Sequence, residues 1–571
     1  MRETAKDPGL VPPVLYLLED ADVEERGTPG IAVSAWAAEI AGGGDVRDAD
    51  RRATALRARW AGTSGPAARL GVLLAIGEFA RGCSAAVLPE ILIWLRGLRD
   101  AGDDPHVRLA AAMALAHAVE AERAETARDH LAEAADVEVW RDVPWVGAMP
   151  DELVGVLGGT GAALVRWVGD ALGVADRADL CSALAGHPDG DRRTGAVHVA
   201  AKLIARWRSP AVPLLPALAA WTRDPLVAVR EYSTHILAAL GEHADVLADR
   251  LDDHAALFPQ LGYHIGDIAA WGLARQDDPR CVPHLVERLG GPELDRVLGS
   301  AESLSTKWLS SRRPGLGEAL VLMRAHAGTF LPLIRARLTD CAPRAAAALL
   351  RVLEEWRDDA ADALPEIMPL LETELHGAAV DALAATGAAD AVPALERLAR
   401  RPPDGLPAWA PGLSRLRDAR AYWRLTGDPE HYLAALEAAF RPEHVQAQWR
   451  YFADLGPHAA AFAGRLRPLL RHRDVLKRVA AAYSLFRITG DPDEVRHVLW
   501  EAVHPIATRS HNSVTWSALH HLTEMGPAKP RMRPVLEDLL ASDRRHCNNG
   551  GVEAIDEDAA LREYAATLLA N

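Results

Sequence analysis

Paired cysteines, long apolar runs and excess positive charge are what this 571-residue chain has least of, and each shortage removes a class of protein. Its five cysteines, Cys83, Cys181, Cys281, Cys341 and Cys547, stand far apart, are odd in number and form no C-x-x-C pair. That argues against a disulfide framework and for a reducing cytosol, so the expected location is cytoplasmic. The longest uncharged apolar stretches, 153–165 and 209–222, fall short of the ~20 residues that a membrane-spanning helix needs. The opening MRETAKDPGLVPP carries no apolar signal core. With 63 Lys and Arg against 79 Asp and Glu, the formal charge is −16, the wrong sign for a surface built to neutralise phosphates. A nucleic-acid partner is therefore not expected. The acidic excess lies in residues 1–440, whereas residues 441–571 are nearly balanced, with 17 basic and 16 acidic side chains. Residues 100–152 are the most acidic part, with 13 acidic side chains against 4 arginines, and this reads as a solvated face before it reads as a groove for a basic partner.

Reaction signatures are missing as well. There is no G-x-x-x-x-G-K-[ST] phosphate cradle, no G-x-S-x-G nucleophile turn and no H-E-x-x-H zinc motif. Gly158-Gly159-Thr160-Gly161 follows no strand pattern and reads as a turn between helices. No catalytic residue and no cofactor is assigned.

What the chain has in abundance is alanine and leucine at helical spacing, a composition that favours helix over sheet. The clearest stretch is 455–503, which reads as helix, tight turn, helix, tight turn, helix. Ala459, Phe462, Leu466, Leu469 and Leu470 recur at spacings of three and four, as do Val479, Ala482, Tyr483 and Phe486. Asp474 is placed to cap the middle helix, and Gly490-Asp491-Pro492 to end it and start the next. An Asp followed four residues later by Arg and then an Ala-rich helix recurs at Asp48/Arg52, Asp104/Arg108, Asp189/Arg193, Asp340/Arg344, Asp474/Arg478 and Asp558/Arg562. That spacing suits a cap plus a modest ion pair on one helix face. A second phrase, Leu425-Thr426-Gly427-Asp428-Pro429 and Ile488-Thr489-Gly490-Asp491-Pro492, marks the other junction, with a looser copy at Thr386-Gly387.

These phrases, with DPHVRLAAAMAL, DPLVAVREYSTHILAALG, DDPRCVPHLVERL and AADAVPALERL, resemble HEAT repeats of the short bacterial kind, over about three quarters of the chain. The heavy use of Ala, Arg, Gly and Leu fits a GC-rich bacterial genome. The resemblance implies an all-α, right-handed solenoid of stacked antiparallel helix pairs, about 11–14 of them at ~40–47 residues each. The second helix of each pair would line the concave side. One departure is Asp224-Pro225-Leu226-Val227, where Arg230 stands two places later than the pattern, so this arginine is expected to face differently. The organisation expected is N-terminal repeats with a cap over 1–135, repeats over 136–290, an irregular insertion at 291–317, repeats over 318–503, and a terminal repeat with cap over 504–571. Residues 400–412 are also too rich in Pro and Gly for helix.

The function implied is a non-enzymatic scaffold holding a protein or peptide on its concave face. The alternative is a nucleic-acid-processing module like the HEAT-like DNA glycosylases, which need a basic groove with tryptophans around a catalytic Asp. The iron-binding His-Glu dipeptides of deoxyhypusine hydroxylases are absent, since none of the 22 histidines precedes a Glu. Sixteen tryptophans, among them Trp94, Trp207, Trp221, Trp271, Trp308, Trp356, Trp409 and Trp449, read mainly as packing between stacked helices. An exposed row of them would mark a peptide groove. His511, Asn512, Thr515 and Trp516, with Arg544, Arg545 and Asn548, form the candidate polar recognition patch. His497/Glu501/His504 and His520/Glu524 have spacings that helices use for metal ligands. Pro505 breaks the first set, however, and no Cys or Asp completes either, so no metal is expected.

Overall fold

A computed structural model of the protein describes residues 46–119, 125–134, 136–143, 146, 157–258, 262–299, 314–400, 413–508, 513–547 and 551–570. Among these residues the secondary structure is helical throughout and contains no β-strand. The expected N-terminal cap, most of the insertion at 291–317 and nearly all of 400–412 lie outside the described residues, as do His511, Asn512 and Asn548. The chain divides into two compact units, 1–233 and 234–571. No helix among the described residues is long and apolar enough to cross a membrane.

In the second unit, helices starting at residues 343, 376, 413, 445, 475, 513 and 553 are the second members of successive pairs, so the repeat is 30–40 residues, shorter than expected. Pro343–Trp356 packs on His376–Thr386, Val445–Leu455 on Val475–Thr489, and Ser513–Thr523 on Glu553–Ala570, while the first helices of neighbouring pairs meet less closely. The second helices are on balance the more closely packed layer of the unit. The unit curls far enough for Arg275 to form a two-pronged ion pair with Asp556, 281 residues away, at 2.6 and 2.9 Å.

Small residues allow the close stacking. In the first unit, Pro66–Ala80 and Pro105–Ala118 approach so tightly that a Cβ on Gly77 would lie 2.6 Å from Cα of Ala114. Trp221 and Trp356 are fully buried at the ends of their helices, and each donates its indole N–H to a carbonyl 36 residues earlier, Ala185 and Leu320 respectively.

The stretch 455–503 departs from expectation in its first helix. Gly456–Phe462 and Arg467–Arg471 are 3-10 turns flanking a short α segment, Ala463–Leu466. Pro468 removes an internal backbone donor and Ala459 departs from helical dihedrals (φ −84°, ψ 15°), so an unbroken i to i−4 ladder does not form, whereas Pro457 stands in the first turn, where its missing N–H costs nothing. The middle helix behaves as expected: Asp474 accepts from the Leu476 N–H at 2.9 Å, and Gly490, at φ 71°, caps the other end. Pro492 does not open the next helix, which begins at Arg496. The Thr-Gly-Asp-Pro phrase folds alike in both copies. Thr426 and Thr489 donate to the carbonyl four residues back and accept from Asp428 and Asp491, whose carboxylates then accept from Glu430 and Asp493.

The Asp–Arg grammar needs one correction. Asp104, Asp189 and Asp474 do cap their helices, accepting from the N–H two residues on. Their arginines do not pair with them. Arg108, Arg193 and Arg478 each donate through Nη1 to the carbonyls six and five residues back, tying the helix to the turn before it. The remaining nitrogens reach onward: Arg193 pairs with Asp224, the next repeat's cap, at 2.6 Å, and Arg108 with Glu133, also at 2.6 Å. Arg230 makes the same two carbonyl bonds, to Asp224 and Pro225, so it does not face differently. It is the fourth residue of its helix, as Arg478 is of Val475–Thr489. The two extra residues are absorbed in the turn. Same-helix Asp–Arg pairs form only at Asp48/Arg52 and Asp558/Arg562, and Asp340 caps nothing because its helix starts after Ala342.

Candidate aromatic and histidine row

Three consecutive second helices of the second unit, followed by the last helix of the chain, carry one continuous row of aromatic rings. Val445–Leu455 contributes Trp449, whose ring lies 5.4 Å edge-on to Tyr483 of Val475–Thr489. Tyr483 stacks flat on His521 of Ser513–Thr523, centroids 3.7 Å apart and planes 12° apart, and Trp449 meets the same imidazole at 5.1 Å. On that helix His520 stacks on Trp516, and both rings touch Tyr564 of Glu553–Ala570, at 4.9 and 5.5 Å. Helical spacing produces this. Trp516 and His520 are one turn apart on one face, and each helix in the stack brings one such face to the same side.

Tyr483 and His521 are buried within the row, whereas Trp449, Trp516, His520, Tyr564 and Phe486, whose ring lies 6.5 Å from Tyr483, are half-buried. The row is therefore neither core nor scattered surface. Its charges are paired: Tyr483 donates its hydroxyl to Glu524 Oε1 at 2.7 Å, and Arg487 reaches Glu524 Oε2 at 3.1 Å and the tyrosine oxygen at 3.2 Å. Burial, then the bond to Glu524, pushes the Tyr483 phenol up to about 12. Burial, then the neighbouring His520, pushes the His521 imidazole down to about 3, so it is neutral at physiological pH. Nδ1 of His520 and Nδ1 of His521 are both buried without a hydrogen-bond partner.

Of the recognition patch expected from sequence, Trp516 belongs to this row and Thr515 is buried beside it. Arg544 is exposed. Arg545 is buried, 3.5 Å from the Asp558 carboxylate, and serves the terminal helix packing. Sequence reasoning placed Tyr483 in an apolar stripe and Trp449 among packing residues. It did not bring them to His521, because contacts made 38 and 72 positions apart leave no local period. A second concavity of about 300 Å³, in the first unit, is lined by Thr63, Arg69, Asp104, His106 and Val139. Three of its side chains are engaged within the fold: Asp104 caps a helix, His106 accepts the Trp140 indole N–H at 2.9 Å, and Arg69 lies over the Trp60 ring. The five cysteines are free thiols, and burial raises them, Cys281 to about 11, which suits none as a nucleophile.

No family model matches the chain, and no curated protein does either. Solved structures similar to it include karyopherins. A Kap95:Nup1 complex aligns at TM-score 0.41 and 11% identity, covering 88% of this chain and 77% of that one. A crystal structure of importin beta in ammonium sulfate aligns at 0.39 and 12%, covering 94% and 87%. Kap121p aligns at 0.37 and 11%, covering 91% and 67%. The repeat architecture of this chain stands on its own helix pairing and turn chemistry.

Proposed function

We propose that the protein is a non-enzymatic helical-repeat scaffold that holds an extended protein segment along the aromatic row of its second unit. The observation that carries this reading is the row itself: half-buried rings on successive repeats, all on the more closely packed layer. Tryptophan and tyrosine in that setting offer large apolar area at small entropic cost, which is why they dominate interface hot spots. Repeat spacing gives the partner one anchoring position per helix pair. Arg487 and Glu524 neutralise one another beside the rings, which is not the positive groove that the glycosylase-like alternative requires.

Photo-crosslinking in the native host tests it. A benzophenone side chain placed at Trp449, Phe486 or Trp516 should capture the same partner, whereas one at the outward-facing Glu437 or Glu494 should not. Capture that is equal at both sets of positions, or absent from the row, would sink the reading.

A further inference from the structure

His520, His521 and Glu524 lie within one turn of Ser513–Thr523 and the residue after it, and each can place one donor atom within 4.8 Å of the other two. We propose that these three side chains form a binding site for a zinc-class divalent cation. Two imidazoles and one carboxylate are the donor set that zinc accepts with a fourth position left for water.

Several observations converge on the site. His521 is only 4% exposed, yet its Nδ1 makes no hydrogen bond, and Nδ1 of His520 is likewise buried and unbonded. A buried nitrogen without a partner is destabilising, and an arriving cation would relieve that. The plane of the His521 ring is fixed by Tyr483 on one side and Trp449 at the edge. Glu524 is held by the Tyr483 hydroxyl on one oxygen and by Arg487 on the other. A carboxylate has about four lone-pair directions, so it can keep both bonds and still face a metal. The hydroxyl and guanidinium then act as the outer partners that orient a ligating carboxylate. Helical spacing alone had offered His520 and Glu524. The fold adds His521, whose neighbours in the chain gave no sign that its ring turns toward the other two.

The test uses the full chain, stripped with chelator and dialysed against metal-free buffer. Zinc chloride titrated by calorimetry should bind at one equivalent with micromolar or tighter affinity. Cobalt(II) in its place should give the visible bands of a four-coordinate site. His520→Ala and Glu524→Gln, both at positions that reach solvent, should each weaken binding at least tenfold with unchanged circular dichroism. His497→Ala and His504→Ala should leave it unchanged. His521→Ala should also abolish binding, but because it opens a buried site, the first two variants carry the decision. No stoichiometric uptake at micromolar zinc overturns the proposal. So does uptake that survives both His520→Ala and Glu524→Gln, or that is lost only with His497 and His504.

Discussion

Replacing Asp558 tests how far burial, and not sequence spacing, sets the strength of an Asp–Arg pair in this array. The Asp558 side chain is 1% exposed; one oxygen accepts the His546 N–H at 2.9 Å and the other accepts Arg562 Nε at 2.9 Å, with Arg545 at 3.5 Å. Arg562 in turn donates to the carbonyls of Leu539 and Leu540, the otherwise unsatisfied end of Arg533–Ala541, and to those of Ser542 and Arg544. An Asp558→Leu change leaves two guanidinium groups close together and largely buried without their carboxylate. Removing one partner of a buried pair costs about 3–5 kcal/mol. In a repeat array that loss is local, because each repeat contacts only its neighbours. Native-state hydrogen exchange is thus the right assay, and whole-chain melting would dilute the effect. At about 1.4 kcal/mol per tenfold, amides of Arg533–Ala541 and Glu553–Ala570 should exchange roughly a hundredfold to a few thousandfold faster. Asp48→Asn removes a pair of the same spacing whose carboxylate is 23% exposed, and should cost only about 0.3–0.5 kcal/mol. A change below about tenfold for Asp558→Leu by that conversion, or one spread evenly over residues 413–489, would refute the reasoning.

Three further outcomes follow from the packing. Gly77→Ala gains helix propensity but drives a methyl to within 2.6 Å of the Ala114 backbone, so it should destabilise the first unit by about 1–3 kcal/mol in urea titration; an unchanged midpoint would mean that the two helices stand further apart. His376 donates from Nδ1 to the Leu371 carbonyl and from Nε2 to Asp418, both at 2.8 Å, and the Asp418 bond raises its pKa above the ordinary 6.5. Its contribution is therefore fully present below pH 6.5 and lost as pH rises through the raised folded value, so the Tm advantage of wild type over His376→Gln should shrink between pH 6 and pH 9, and a widening gap would contradict the assignment. Arg275→Ala and Asp556→Ala should show positive coupling in a double-mutant cycle read by exchange at the terminal helix, weakening with added salt because both side chains reach solvent; zero coupling at low salt would mean that the second unit does not curl to join them.

The fold was legible because its signals are local. Ala-rich helices, Asp caps and the Thr-Gly-Asp-Pro turn each complete their hydrogen bonds within six residues, so short phrases carry them whole. Two turns even repeat an unremarked detail: His187 and His472 each accept through Nδ1 the N–H of the Asp two residues on. The broken first helices were less legible. A stripe at spacings of three and four looks the same whether or not Pro468 and the kink at Ala459 interrupt the ladder beneath it. The repeat length was overestimated for a related reason, since Asp–Arg starts sample only some of the repeats.

The arginines show most clearly where reading residue pairs by spacing fails. Asp and Arg four apart meet in an isolated helix, but here the Asp occupies the N-cap, outside the helical turn that would bring its side chain alongside the arginine. The guanidinium turns back instead to the carbonyls of the loop, and in Arg108 and Arg193 its other edge reaches a carboxylate further along the chain. What recurs in the chain is thus the distance from helix start to arginine, constant for Arg108, Arg193, Arg230 and Arg478, and not the distance from Asp to Arg, which lengthens at Asp224/Arg230. The same reasoning explains why the aromatic row stayed hidden. A position counted from the start of each second helix puts Trp449 fifth, Tyr483 ninth and His521 ninth, so two of the three meeting residues share a register once helix starts are known. Function in a repeat array is written in register across helices, and it becomes readable only after the turns have fixed where each helix begins.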